Sequence, residues 1–247
     1  MIMYEQHRLL IVLPAYNEEL SILDLLKNLD ESIVHFGLNA SILVVNDGSK
    51  DRTSELARSF QGTTQVEVFD QIPNQGLAQA MRSGFRLAKE KLRKQDWVMV
   101  MDADNTHPTG LMGRMAQTLL EGADLVIASR YRYGARIIGL ARFRILLSLG
   151  ASWLFRLRVG VPGVRDYTCG YRMYRCSLLF AAMDKYGEKF IQQQGFACMA
   201  EILIKFKPLK PIVVELPMIL RYDWKESESK MRIWRTVRQT FRMLGKS

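Results

Sequence analysis

Three short polar turns in the first half of this 247-residue chain hold residues whose types and spacing could do chemistry together. These are Pro14-Ala15-Tyr16-Asn17-Glu18, Asn46-Asp47-Gly48-Ser49 and Asp102-Ala103-Asp104. Two aspartates one residue apart present hard carboxylate oxygens, which suit Mg²⁺ or Mn²⁺ and leave coordination positions open for phosphate oxygens. A cation held there would stabilise a departing diphosphate as a Lewis acid. Several carboxylates in one crevice repel each other unless a cation or a hydrogen-bonding ligand compensates them. An isolated Asp-x-Asp is as readily a solvated turn. Its position directly after the apolar run Trp97-Val98-Met99-Val100-Met101 is what strengthens the chemical reading.

The elements that position these turns alternate along the chain. Leu9 to Leu13, Ile42 to Val45, Val66 to Phe69, Trp97 to Met101, Leu125 to Ala128 and Ile212 to Leu216 are short runs expected to be buried strands. Between them, Glu18 to Phe36 repeats apolar residues at helical spacing and stops at Gly37, and helices are expected at Thr53 to Phe60, Gly76 to Leu92 and Gly110 to Glu121. Further helices are expected within Leu140 to Leu157 and near Phe196 to Phe206. This is the pattern of an α/β fold, a mostly parallel sheet flanked by helices, in which ligands sit beyond the carboxyl ends of the strands. All three polar turns fall at such ends.

Four ordered motifs resemble those of the family 2 glycosyltransferases, which have the Rossmann-like GT-A fold. They are Leu13 to Glu18, Val45-Asn46-Asp47-Gly48-Ser49 with Asp51 and Thr53, Asn74-Gln75-Gly76, and Met101-Asp102-Ala103-Asp104. Within that family, Ser129-Arg130-Tyr131, Arg144 with Ser148, Asp166 to Arg172, and Arg221 with Ser229-Lys230 resemble the dolichol-phosphate mannosyltransferases and related polyprenyl-phosphate sugar transferases. The resemblance implies an inverting, metal-dependent hexosyltransferase that takes a GDP- or UDP-linked sugar. Pro14, Tyr16, Glu18, Val45 and Asp47 would hold the nucleoside, and Asp102, Ala103 and Asp104 the diphosphate and metal. Arg221 and Lys230 would pair with donor phosphates, while Arg130, Arg144 and Ser148 would receive the phosphate of a polyprenyl acceptor. Catalysis would rest on Asp102, Asp104 and Arg221. Thr106 stands where the subgroup often has a metal-binding Gln, so it is the remaining candidate ligand.

Each of these residues also has a plainer reading. Asp47 could cap the following helix through an Asx turn, Tyr16 and Glu18 could be a core aromatic and a first-turn acid, and the arginines from Arg130 to Arg144 could be a solvated face. Asp166 is expected to hold a neighbouring loop by hydrogen bonds. His7, His35 and His107 read as surface or loop residues.

The acceptor class follows from acid-base chemistry. A phosphate is already anionic near neutral pH and needs cationic positioning, which the planar donor fork of Arg supplies. A sugar hydroxyl would need a carboxylate base. Asp166 and Glu201 are the downstream candidates for that alternative, a family 2 transferase acting in polysaccharide or glycolipid synthesis.

Charge is divided unequally. Residues 1–129 hold 12 Lys and Arg against 17 Asp and Glu, whereas residues 130–247 hold 23 against 8, within a net charge of +10. Such a basic half suits an anionic membrane, a phosphorylated substrate or nucleic acid. A non-catalytic nucleic-acid-binding protein is the less favoured alternative, because it leaves the carboxylate crevice unexplained, and no nucleic acid partner is expected. Residues 1–228 are expected to form the transferase domain and residues 229–247 a basic amphipathic helix. In that helix Ile233, Trp234, Val237, Phe241 and Leu244 share one face, and Arg232, Arg235, Arg238, Arg242 and Lys246 another, the pattern of a helix lying on a membrane. The start shows no signal-peptide core, and the uncharged stretch Ile145 to Phe155 is too short to span a bilayer. Cys169, Cys176 and Cys198 have no paired spacing. The expectation is a cytoplasmic protein associated peripherally with the membrane.

Overall fold

The computed structural model describes residues 6–224 apart from 141 and 159. Within the helix 142–158 it leaves the side chains of Arg144 and Ser148 undescribed, and Lys230 and the expected tail helix 229–247 lie outside the described residues, as does the boundary at 228.

Nine strands and seven α-helices follow one another in the described residues: β1 Leu9–Ala15, α1 Ile22–Phe36, β2 Ala40–Asn46, α2 Thr53–Ser59, β3 Val66–Asp70, α3 Leu77–Lys91, β4 Trp97–Val100, α4 Met112–Leu120, β5 Leu125–Ser129, β6 Arg136–Ile138, α5 Arg142–Arg158, β7 Arg172–Arg175, α6 Cys176–Tyr186, α7 Ala197–Phe206, β8 Val213–Pro217 and β9 Ile219–Arg221. Seven strands form one sheet in the order β3-β2-β1-β4-β7-β5-β8, and β6 and β9 form a separate parallel ribbon. Only β7 runs antiparallel, between β4 and β5.

Helices cover both faces of this sheet, so its central strands are apolar without alternation. β1 and β4 are buried along almost their whole length. On one face, a Cβ on Gly84 of α3 would collide with Val12 of β1, and Phe85, Tyr174, Phe190 and Phe206 form a chain of aromatic contacts among α3, β7 and α7. On the other, Gly113 of α4 packs directly on Phe36 of α1. The parallel strands β1, β2, β4, β5 and β8 all end at one rim, and β7 starts there.

The expected helices and strands match this architecture closely up to Ser129. Beyond it, β6, β7, β9 and α6 are additions to the sequence reading. β7 escapes pattern recognition because Arg172 and Arg175 flank its short apolar centre. Arg172 is nevertheless fully buried, its guanidinium donating to the carbonyls of Met199 and Tyr167 at 2.7 and 2.9 Å. The three cysteines are free and buried, and burial pushes the thiols of Cys169 and Cys198 up to about 12. No helix among the described residues is long and apolar enough to cross a membrane.

Candidate active site

The three polar turns meet at the rim. The amide of Asp47 donates to the carbonyl of Ala15 at 2.8 Å, that of Asn17 to Oγ of Ser49 at 2.9 Å, and that of Glu18 to Oγ1 of Thr53 at 2.8 Å. Ser21 bridges the first turn to the acidic one, its hydroxyl lying 3.3 Å from Oε2 of Glu18 and 3.2 Å from the carbonyl of Ala103. Pro14 and Tyr16 are half-buried at the mouth and Glu18 is buried beneath them. Val45 presents no surface at all. Expected beside the nucleoside, it is instead part of the apolar core, because β2 is covered on both faces.

Asp47 is committed to the protein's own loop. Its Oδ1 accepts from Nε2 of Gln71 at 2.6 Å and the amide of Gln75 at 2.9 Å, and its Oδ2 from Nδ2 of Asn74 at 2.9 Å and the amide of Gly76 at 2.7 Å. Four donors satisfy a carboxylate that is only 3% exposed. The residue therefore organises the segment 71–76 at the rim, a role that neither nucleoside contact nor an Asx turn describes.

In the acidic turn, Asp102 remains partly open while Asp104 is 7% exposed. The hydroxyl of Thr106 donates to Oδ1 of Asp104 at 2.7 Å and its amide reaches the same oxygen at 3.3 Å. Thr106 thus orients a carboxylate with its hydroxyl instead of standing open as a ligand. His107 is a loop residue, as expected, but it is buried and not at the surface. It stacks on Tyr171 with ring centroids 5.2 Å apart, accepts at Nδ1 from the amide of Asp102 at 3.4 Å, and holds Nε2 3.9 Å from Oδ2 of Asp102. From the opposite side, Gly170 closes on the same carboxylate. A Cβ at position 170 would lie 2.9 Å from Oδ1 of Asp102.

Arg221 is brought to this turn by its backbone, whose amide donates to the carbonyl of Thr106 at 3.1 Å. Its guanidinium forms a two-pronged pair with Asp223, with contacts from 2.8 to 3.3 Å. The end of β9 is therefore tied by its backbone to the loop that follows Asp104, and its guanidinium is held by Asp223.

Arg130 is placed differently from the acceptor-phosphate expectation. Its Nε and Nη2 donate to the fully buried Asp166 at 2.8 and 2.6 Å, and Nη2 also reaches Thr168 at 2.7 Å. The cause is electrostatic, since a carboxylate without solvent requires a cation and donors around it. Burial alone would raise the pKa of Asp166, but the Arg130 guanidinium and its hydrogen bonds outweigh burial and hold it below the ordinary value. The amides of Arg130, Thr168 and Cys169 complete the shell. Asp166 thus holds a loop, as its sequence context suggests. Below it, Oε1 of the buried Glu215 caps the amides of Arg165 and Asp166 at 2.6 and 2.7 Å, while Oε2 has no partner among the described residues. Burial raises the Glu215 pKa, and the neighbouring Asp166 adds to the shift. Glu201 is likewise committed, its Oε2 accepting from the amides of Gln192 and Gln193 at 2.7 Å each.

The oxygen-only donor set of Asp102 and Asp104 fits a hard divalent cation whose remaining ligands come from diphosphate and water. No third carboxylate, His or Cys joins them in a ready-made cluster among the described residues.

The chain matches the glycosyl transferase family 2 profile over residues 10–180. It is 29% identical over 238 residues to the dolichol-phosphate mannosyltransferase of Pyrococcus furiosus, an alignment covering 95% of this chain and 63% of that one. It is 34% identical over 190 residues to the polyprenol monophosphomannose synthase of Mycolicibacterium smegmatis, covering 74% and 69%. The chain therefore spans a little under two thirds of the length of the first relative. Among solved structures, glucosyl-3-phosphoglycerate synthase from Mycobacterium tuberculosis, in complex with Mn²⁺, UDP and phosphoglyceric acid, superposes with a TM-score of 0.67 at 20% identity, covering 98% of this chain and 78% of that one. That likeness bears out the GT-A-like sheet, and the profile match over most of the chain establishes that it belongs to glycosyl transferase family 2.

Proposed function

We infer that this glycosyltransferase moves a hexose such as mannose from a GDP- or UDP-linked donor to a polyprenyl phosphate, with inversion, at the cytoplasmic face of a membrane. The observation that carries the reading is the hydrogen bond from the amide of Arg221 to the carbonyl of Thr106, which ties the strand that carries this guanidinium to the turn of Asp102 and Asp104. Asp102 and Asp104 would hold Mg²⁺ or Mn²⁺, which supplies Lewis-acid neutralisation of the diphosphate. Thr106 and His107 orient the two carboxylates. Arg221 faces the charge that grows on the leaving diphosphate. Pro14, Tyr16 and Glu18 line the mouth through which the nucleoside enters, and Asp47 shapes the wall beside them.

The transfer forms a bond between an acceptor phosphate oxygen and the anomeric carbon while the bond from that carbon to the diphosphate oxygen breaks, its electron pair leaving with the diphosphate. No proton has to move. This agrees with the state of Asp166 and Glu201, whose carboxylates are occupied by hydrogen bonds within the fold and so are poor bases for a sugar hydroxyl. The relatives named for dolichol and polyprenol acceptors support the same choice, as does the basic second half of the sequence.

The test incubates the full chain and Mg²⁺ or Mn²⁺ with GDP- and UDP-hexoses, with and without a short polyprenyl phosphate, and reads the product and its anomeric configuration. Transfer to the phosphate with inversion is expected, and Asp102→Asn or Asp104→Asn should lower kcat by about 10² or more, the scale of losing one preorganised electrostatic group. Transfer that needs no phosphate acceptor, or that survives both substitutions, would sink the reading.

A further inference from the structure

The ribbon formed by β6 and β9 has two different faces. Its register pairs Arg136 with Ile219 and Ile138 with Arg221, so these four side chains share one side. Ile137 and Leu220 point the other way, packed against the core. The outer side leaves Ile138 40% and Ile219 46% exposed, next to a fully exposed Tyr133. An isolated two-stranded ribbon is marginal in water, yet this one is built in firmly. Its C-terminal end is fixed both by Gly139, where a Cβ would meet the amide nitrogen of Asp223 at 2.5 Å, and by the bond from Arg221 to Thr106, and its N-terminal end by the amide of Arg136 on the carbonyl of Met218 at 3.1 Å.

The chain continues from the ribbon into α5, which exposes Phe143, Leu146, Leu149, Trp153 and Leu157. Those positions recur at helical spacing, forming one apolar stripe. Ribbon and helix thus each turn apolar side chains outward, and exposed apolar residues grouped on one element mark a surface that meets a partner or a membrane.

The cations on this side differ in their commitments. Arg130 is bound to Asp166 and Thr168, and Arg221 to Asp223. Arg136 is exposed and makes no ion pair among the described residues. It stands two residues, about 7 Å along the strand, from the end of the ribbon tied to the acidic turn.

We propose that the outer face of this ribbon seats the lipid acceptor at the membrane surface, Arg136 receiving its phosphate and Ile138 and Ile219 supporting the first units of its chain. The occupant is an isoprenoid phosphate within a bilayer. A guanidinium flanked by aliphatic side chains matches an anionic head on an apolar chain, and α5, the next element in the chain, carries an apolar stripe of its own. This rests on the polyprenyl-phosphate reading and assigns a residue to it that the motif resemblance does not.

The experiment uses the full chain and two acceptors, a long polyprenyl phosphate in phosphatidylcholine vesicles and a short prenyl phosphate in solution. Arg136→Ala should raise KM for both acceptors by tenfold or more, the scale of one charge-assisted hydrogen bond, with donor KM unchanged. The Ile138→Ser/Ile219→Ser double variant should lose at least tenfold more in kcat/KM with the vesicle acceptor than with the soluble one. Thermal unfolding of each variant shows whether the fold is kept, and sedimentation gives its oligomeric state. An unchanged acceptor KM in a folded Arg136→Ala protein overturns the assignment. So does an equal loss on both acceptors in the double variant, or a ribbon face covered by a second copy of the chain. A parent protein that uses neither acceptor refutes the transferase reading itself. In that case, flotation with vesicles containing polyprenyl phosphate still reads the surface, and binding that the double variant retains overturns it independently.

Discussion

Replacing Asp47 by Asn separates a residue that builds the site from one that touches its ligand. Both carboxylate oxygens of Asp47 accept two hydrogen bonds from the segment 71–76. Whichever way an asparagine amide is turned, its NH₂ group faces two N–H donors. Two hydrogen bonds to a charged group are lost, each worth about 1.5–3 kcal/mol, and relaxation of the segment recovers part of this. A destabilisation of about 3–5 kcal/mol follows. For a domain of this size, 1 kcal/mol corresponds to about 2–4 °C in Tm, so Asp47→Asn should unfold roughly 6–20 °C below the parent. Hydrogen exchange should quicken at the amides of Gln75 and Gly76 ahead of those in β1 and β2. The readout is thermal unfolding by circular dichroism with exchange measured by mass spectrometry, both without nucleotide. A variant that melts within 2 °C of the parent yet binds the donor far more weakly would show that Asp47 acts on the ligand directly, and the argument from its four donors would be wrong.

Two further outcomes follow from neighbouring geometry. Gly170→Ala puts a methyl group 2.9 Å from Oδ1 of Asp102, so Mn²⁺ affinity measured by calorimetry should fall about tenfold, the scale of disturbing a residue that orients a metal ligand, and unchanged affinity would mean the loop simply yields. Glu215→Gln tests the buried carboxyl. Its pKa is raised in the folded state by burial, so the parent loses stability as pH rises from the unfolded value of about 4.3. The variant, which copies the protonated form, should gain on the parent in Tm between pH 5 and 8, and a gap that stays constant or shrinks over that range contradicts the shift.

Much of this site is legible in the sequence because its parts lie at the ends of β1, β2 and β4. There an unbroken apolar run ends at a polar turn, and a parallel sheet brings such ends to one rim. What the sequence conceals depends on contacts distant in the chain. Arg130 and Asp166 are 36 positions apart and each is ordinary alone, so nothing local shows that one cancels the other. His107 looks like a loop residue by type, and its burial comes from Tyr171, carried in by the antiparallel β7. The motif around Val45 points to a ligand, whereas the two-sided cover of β2 takes this residue into the core. Arg172 conceals β7 because a buried guanidinium has no signature in a hydrophobic pattern; the carbonyls that accept from its two Nη groups belong to Met199 and Tyr167.

The pairing of Arg130 with Asp166 also has a consequence for how such chains can vary. It brings the two ends of the segment 131–165 together, so the chain leaves the rim and returns to it at a clasp. A segment closed in this way can be lengthened or shortened at small entropic expense, about 0.6 kcal/mol for a doubling of length. Gly170 and Tyr171 meet the acidic turn downstream of the clasp, so such a change reaches that turn only through β6 and its partner β9, whose Arg221 is tied to Thr106. Within the segment, α5 and the stretch that follows it can therefore vary in length, whereas β6 is held in place by its pairing with β9.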